Sequence, residues 1–495
     1  MIAEVDKYGA RQIVTDPRRD MGISSGTGYE VTQSSRFRRT FGVMHGLLAA
    51  ADRHLNKNTL GTLRELCRMH DRQSSLFSGM LDRGVVNIWG ANFDFIPTTG
   101  DPELDKRVKD YIARRMDKYY ADASGVRDFT EIGQTALRAI WNDGDCLLIK
   151  RRDGSVMPVE ADQIESPQVL GYDGQSRRIV LGVELNKMNR PTAFHLRYRP
   201  VSGDSGLVRS TEQWRRVPAK YGIYAAYRKR FNQTRGVPFL ASILGTFDRT
   251  NNYLDYEQIA AEIGAMLGFK ITKNELYNAD EENIEDNDNT DSSFGKMQKM
   301  EPGQIFELLV GEDVDMFGSQ RPGSNFSSYI ETCCRIMGVG LGMPLELVMM
   351  DFSKTNFSSS RASLGEARRG FRLWQKFSEG NIARPWYRWQ INRGIALGEL
   401  PADERLYTVR CQWPAWEYID PVKEQQGNAI GVAMRVKSPQ ECIRERGGDP
   451  IEVVKEIGEF EKMLAEVGVE PGKVRVSVAT GRTVEDEEEG EEDKK

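Results

Sequence analysis

Three carboxylates lie close together in the chain: Asp143, Asp145 and Asp153. Their type and spacing are the best available for hydrolysis. Paired carboxylates can divide general acid and base roles or share a metal ion. All three sit at turn sequences, Asp143-Gly144 and Asp153-Gly154 among them, where Asp bonds nearby backbone. Turn chemistry is the simpler reading. Gly203-Asp204-Ser205-Gly206 resembles a serine-nucleophile string, but Leu207 stands where a second glycine is needed. Gly338-Val-Gly340-Leu-Gly342 has the glycine content of a cofactor loop. It follows a helical pattern rather than a strand and precedes Pro344, so a helix exit is expected. Gly468 to Lys473 lacks phosphate-loop spacing. The four histidines, His45, His54, His70 and His195, form no zinc-ligand spacing with Cys or Asp. The expectation is a chain with no catalytic residue, no metal and no cofactor.

The more informative residues are basic. Arg361 to Arg393 carries eight cations against Glu366 and Glu379. At about 100° per residue, Arg361, Arg368, Arg372 and Lys376 share one narrow helical face. Leu364, Ala367, Phe371 and Phe377 point elsewhere. Such a face is either solvated surface or a contact to a polyanion backbone. The Ser-rich loop before it holds Lys354, Thr355 and Asn356, a suitable surface contact. No aromatic stacking platform is evident, so single-strand or sequence-specific binding is not supported.

The elements that position these residues follow from periodicity. Arg36 to Leu81 reads as helical, with Leu47, Leu48, Ala51, Leu55, Leu63, Leu66, Cys67 and His70 at helical spacing. Leu104 to Tyr120 and Phe129 to Asn142 are amphipathic helix patterns. Strands are expected at Cys146–Lys150, Val156–Val159, Val180–Leu185, Ala193–Tyr198 and Arg216–Pro218, forming a small antiparallel sheet. From Thr250 to Leu267, Tyr256, Ile259, Ala260, Ile263, Met266 and Leu267 form one stripe. Strands Phe269–Thr272 and Ile305–Val310 should flank an acidic loop, Glu275 to Ser293. A second helix should run from Ser324 to Val339 and end at Gly338, Gly340, Gly342 and Pro344. Residues 350–360 read as a loop and a long helix as starting at Arg361, with Pro385 kinking or restarting it. Ser438-Pro439-Gln440-Glu441 has the pattern of a helix cap. The fold class is α+β and helix-rich.

The chain has 495 residues, 39% of them hydrophobic, and a net charge of −5. Glu485 to Lys495 holds eight acids and two lysines, leaving the remainder close to neutral. A uniformly basic nucleic-acid binder is excluded, but a local basic patch is not. No apolar run approaches the roughly 18 residues that span a bilayer. Met1 to Asp20 lacks the apolar centre of a signal peptide. Six cysteines with no CxxC pair are expected to be reduced thiols.

Several stretches together resemble the portal (head–tail connector) proteins of lambda-like tailed bacteriophages. One is Phe231-Asn-Gln-Thr-Arg-Gly-Val-Pro-Phe-Leu240, leading into the helix with Tyr253, Tyr256 and Ala260-Ala261. Another is Gly342-Met-Pro-Leu-Glu346 with Asp351-Phe-Ser-Lys-Thr-Asn-Phe-Ser-Ser-Ser-Arg361-Ala. A third is Tyr418-Ile-Asp-Pro-Val-Lys423 with Ser438 and Gly447-Gly448-Asp449. Gly144-Asp145 to Ser166-Pro167 adds a fourth, so the resemblance covers roughly residues 35–467.

The resemblance implies a cyclic ring, commonly a dodecamer, at one capsid vertex, with double-stranded DNA entering and leaving through its tunnel. It implies a flexible tail over 1–35, a wing over 36–249, a stem helix over 250–268 and a clip over 269–323. A second stem helix over 324–345 and a tunnel loop over 346–360 follow. Residues 361–432 would be the long helix and its return to the wing, 433–483 a helical crown, and 484–495 an acidic disordered tail. Lys354, Thr355, Asn356, Arg361, Arg368, Arg372 and Lys376 become tunnel-side candidates, facing DNA or pairing neighbouring subunits. The implied partners are further copies of the chain, the major capsid protein and scaffold, the terminase, and head–tail joining proteins. The implied location is the virion, after assembly in the host cytoplasm. Glu275 to Ser293 is more acidic than the family pattern. Two competing classes are a hydrolase using the Asp143 group and a monomeric DNA-binding adaptor.

Overall fold

The computed structural model describes residues 3–5, 11–13, 52, 55–166, 178–198, 213–265, 268–273, 312–317, 325–353 and 356–467. They belong to two units, Met1–Gly245 with Cys334–Lys495, and Thr246–Cys333.

In the first unit, β1 (Ala3–Val5) and β2 (Arg11–Ile13) pair antiparallel. The helical pattern expected over Arg36 to Leu81 lies partly outside the described residues and divides where it is described. Helix α1 (Lys57–Gln73) is capped by Asn56 and buries Leu60, Leu63, Cys67 and His70. Ser74 takes extended backbone, ends α1 and caps α2 (Ser75–Ile88) with its own side chain. A hydroxyl that can bond the next helix's free N–H groups makes this break cheap. Strand β3 (Asp94–Pro97) precedes α3 (Pro102–Met116), which Asp101 caps. Helix α4 (Phe129–Asp143) opens with a capping box of Asp128 and Glu131 and ends at Gly144, whose φ is +93°.

Strand β4 (Asp145–Lys150) then lies between β5 (Val156–Val159) and β10 (Gly222–Ala226). A four-stranded antiparallel sheet follows the order β6 (Arg178–Val180), β7 (Val183–Leu185), β8 (Pro191–Tyr198), β9 (Gln213–Pro218). The single strand expected over Val180–Leu185 is a hairpin, turning at Leu181 and Gly182 with φ of 45° and 85°. Leu147 and Val159 from one sheet meet Val183, Leu185, Phe194, Leu196 and Val217 from the other in one apolar core.

Helix α5 (Leu244–Ala265) leaves this unit and α6 (Phe326–Leu341) returns to it. The glycines expected to end α6 do not: the helix runs through Gly338 and Gly340 and closes before Gly342. A Cβ on Gly340 would stand 2.6 Å from Ile243 Cγ2, so the glycine permits close packing. Helix α7 (Leu345–Met349) occupies part of the expected 346–360 loop. Helix α8 (Phe357–Ser378) starts before the expected Arg361. A π-turn, Glu379–Ala383, joins α8 to α9 (Arg384–Ala396), with Pro385 in the first turn of the restart. Pro385 has no N–H to continue the ladder, and the π-turn just before it is where the helix takes up that irregularity. Trp386 is buried, 4.1 Å between ring centroids from Phe129.

Strand β13 (Val409–Gln412) pairs with β3, a ladder the sequence reading did not contain. Helices α10 (Pro421–Ala433), α11 (Pro439–Glu445) and α12 (Pro450–Val467) complete the unit. Ser438 caps α11 as expected, accepting the Glu441 N–H at 3.1 Å. All six cysteines are free.

In the second unit β11 (Gly268–Lys273) pairs antiparallel with β12 (Glu312–Phe317). The strand expected at Ile305–Val310 lies outside the described residues, as does the acidic loop. Tyr253 contacts Phe326 and Tyr329. The stripe expected to pack through Tyr256 and Ile259 instead leaves them 69% and 50% exposed in the single chain.

Candidate nucleic-acid interface

The basic face is built from Asn356 onward. Asn356 Oδ1 accepts the Ser359 N–H at 2.9 Å, so this residue acts as the N-cap of α8. That explains why the helix starts at Phe357. Lys354 and Thr355 lie outside the described residues. On α8, Ala367 and Phe371 are buried, while Arg361, Arg372 and Lys376 are exposed and Arg368 is half-buried.

Three of the four face residues meet the chain's own C-terminal region. Arg361 Nη2 lies 3.8 Å from Glu424 Oε1. Arg368 Nη2 donates to the Glu417 carbonyl at 2.9 Å. The Arg368 and Arg372 guanidiniums stand 5.8 and 5.6 Å from the Trp416 ring centroid. Burial pulls the Arg368 pKa below its ordinary value, Arg372 adds to that, and Glu424 opposes it. Both arginines line a cleft of about 560 Å³ with Trp416 and Glu424. Lys376 lines a second cleft with Arg372, Glu379 and Arg384. The sequence reading weighed DNA and neighbouring subunits as partners for this face; the structure adds a partner within the chain. The signal available was Trp413 and Trp416, two large aromatics in a short polar segment. Each contact is modest, about 0.5–1 kcal/mol for an exposed cation–π pair and less for the long ion pair.

The hydrolase reading fails on geometry. Asp145 is 0% exposed. Its carboxylate accepts from Arg235 Nε and Nη2 at 2.6 and 2.9 Å, Arg64 Nη2 at 3.1 Å, Tyr224 Oη at 2.8 Å and the Gly236 N–H at 3.0 Å. Arg235 completes its donor set on the carbonyls of Ile164, Leu181 and Ala161. Burial raises the Asp145 pKa, but the Arg235 and Arg64 guanidiniums outweigh it and hold the group below the usual carboxylate range. Asp143 is held by Arg68 at 2.8 Å on each oxygen. Asp153 accepts from Ser155 in the β4–β5 turn. No site is left at Asp145 for a substrate or a metal-bound water. Among the described residues no His, Cys, Asp and Glu group could hold a metal ion.

This network explains the string around Arg235. Arg235 reaches back to β4, and Gly236 passes so close to Gly144 that a Cβ would lie 1.8 Å from the Gly144 oxygen. Residues 38–375 match the family model described as phage portal protein, lambda family. The chain belongs to that family. It is also 22% identical over 456 residues to the "Probable portal protein" of Halomonas phage phiHAP-1, covering 87% of this chain and 86% of the relative. Among solved structures, the neck of a native gene transfer agent particle computed with C12 symmetry aligns with a TM-score of 0.45 at 11% identity. The neck of an empty particle computed with C6 symmetry gives 0.46 at 11% identity. Each of these two alignments covers 78% of this chain and 93% of the other.

Proposed function

We propose that this portal-family chain is the protomer of a closed ring at one capsid vertex, commonly twelve copies in the family. Double-stranded DNA would pass through the ring in packaging and ejection. The family match over residues 38–375 carries the reading. Two physical features support it. Apolar side chains remain exposed on the single chain, Tyr256 and Ile259 on α5 and Ile451, Val454 and Phe460 on α12 among them, surface that neighbouring copies would cover. The near-neutral charge suits a conduit, since every neutralised phosphate adds salt-dependent affinity and many copies would hold DNA fast. In this reading the chain performs no catalysis. The motor is a separate terminase, and the ring docks head–tail joining proteins, the major capsid protein and scaffold. Its location is the virion, following assembly in the host cytoplasm.

The face comprising Lys354, Thr355, Asn356, Arg361, Arg368, Arg372 and Lys376 is the proposed tunnel-side or subunit-pairing surface. In the double variant Lys354→Ala, Arg361→Ala, DNA contact predicts intact rings with impaired packaging or retention of DNA. Subunit pairing predicts rings that dissociate at moderate salt, because exposed ion pairs are screened over about 10 Å at 0.1 M. Electron microscopy of the rings and a DNA-protection assay separate the two. Intact rings with normal packaging contradict both and leave the face as solvated surface with its contacts to Glu417 and Glu424.

A further inference from the structure

Arg388 and Arg393 of α9 line concavities that none of the α8 face cations enters. Two adjoining concavities, about 850 and 640 Å³, share Lys150 and Trp389. The β4–β5 hairpin supplies Lys150 and Arg152, β9 supplies Arg215, the turn after it Lys220, and α9 supplies Arg388. Among the described residues none of these five has a carboxylate within ion-pairing distance. Asp153 is the one acid in either lining, and Arg151 already pairs with it at 3.4 Å. Burial pulls the Lys150 pKa below its ordinary value, which reflects the cost of a half-buried cation without a counter-charge.

The opposite imbalance lies at the other end of the chain. Glu485 to Asp493 holds eight acids and no cation. Eight clustered acids have only Lys494 and Lys495 after them, and five clustered cations have no carboxylate partner among the described residues. Residues 468–484 follow the end of α12 and reach up to roughly 60 Å when extended. That exceeds the roughly 20 Å radius of gyration of a compact domain of this unit's size.

We propose that the acidic segment Glu485–Asp493, from the same chain or a neighbouring copy, docks in this basic groove as its counter-charge. Arginine forks and lysine heads bind repeated carboxylates as they bind phosphates. The docked segment keeps the groove from holding nucleic acid. This consequence, unlike the docking, rests on the conduit reading above. DNA is the competing occupant, and charge alone admits it; the acidic segment is favoured because it is covalently attached and so present at high effective concentration.

Zero-length carbodiimide crosslinking of the full-length protein tests the docking itself, with peptide mapping of the products. Links from Lys150 or Lys220 to Glu485–Asp493 are expected, lost in the full-length variant Arg215→Ala, Arg388→Ala. Duplex DNA binding by anisotropy then tests the consequence. Deleting residues 485–495 should raise affinity at least tenfold at low salt and steepen the salt slope. Adding the synthetic 485–495 peptide should reverse both changes, and the Arg215→Ala, Arg388→Ala pair should abolish them. Absence of crosslinks, or unchanged DNA affinity on deletion with the particle mass preserved, overturns the proposal. Full-length protein that binds DNA through Arg215 and Arg388 without crosslinks assigns the groove to DNA and equally overturns it. Particle mass is read separately, so failure here leaves the ring reading standing.

Discussion

Asp145→Ala is expected to destabilise the first unit by about 3–5 kcal/mol, the cost of breaking a buried ion pair and stranding its partners. The partners are Arg235, 1% exposed, and Arg64, 5% exposed. Removing the carboxylate leaves the buried Arg235 guanidinium with no ion-pair partner and Arg64 with only the more exposed Asp162, 3.6 Å from its Nη1. The network also joins elements remote in sequence: α1 through Arg64, β4 through Asp145, β10 through Tyr224, and the 161–164 turn through Arg235. The loss should therefore be global, read as a lowered thermal midpoint of the whole first unit. The pH dependence has a definite sign. The folded pKa of Asp145 is depressed, so its contribution is complete above the unfolded value of about 3.9. It is lost as pH falls through the lower folded value. Asp145→Asn should flatten that acid limb. A thermal midpoint unchanged by Asp145→Ala would show that the network contributes little.

Gly236→Ala is the second large effect. The new Cβ would stand 1.8 Å from the Gly144 oxygen and 2.4 Å from its carbon. Both are backbone atoms, so no side chain can swing aside. Gly144 itself has φ of +93° and caps α4, which leaves it little freedom to move. Overpacking usually costs about 1–3 kcal/mol, and a clash between two backbones belongs at or above the top of that range. It would also shift the Gly236 N–H from Asp145, coupling this loss to the first. Chemical denaturation of the variant checks it, and a stability within about 0.5 kcal/mol of the parent would contradict the packing described.

What the sequence made legible were elements with strong local signals. Helix α4 carries both a capping box and a terminal glycine, and its observed limits differ from the expected ones by one residue. Ser438 and Pro385 announced a cap and a restart, because both act through their own backbone neighbourhood. The failures share the opposite property. Strands β3 and β13 have four residues each and pair across roughly 300 positions, too short for periodicity and too distant for turn chemistry. Gly340 read as a helix breaker because its packing partner, Ile243, lies almost a hundred positions away. The basic segment was found by charge, but its division was not. Arg361, Arg368 and Arg372 turn to Trp416 and Glu424, while Arg388 lines a separate groove. The π-turn at Glu379–Ala383 separates them, and nothing in the residue types foretells it. Asp145 was singled out for chemistry because a carboxylate looks alike whether it is catalytic or paired; its partner stands 90 residues away.

The mass of the soluble particle, measured across a wide concentration range, tests the central claim most directly. A closed ring predicts one discrete mass, an integral multiple of the 56.1 kDa chain, that persists on dilution, with a central hole in projection images. A single 56.1 kDa species at every concentration would contradict the account, as would an open series of aggregates with no preferred size.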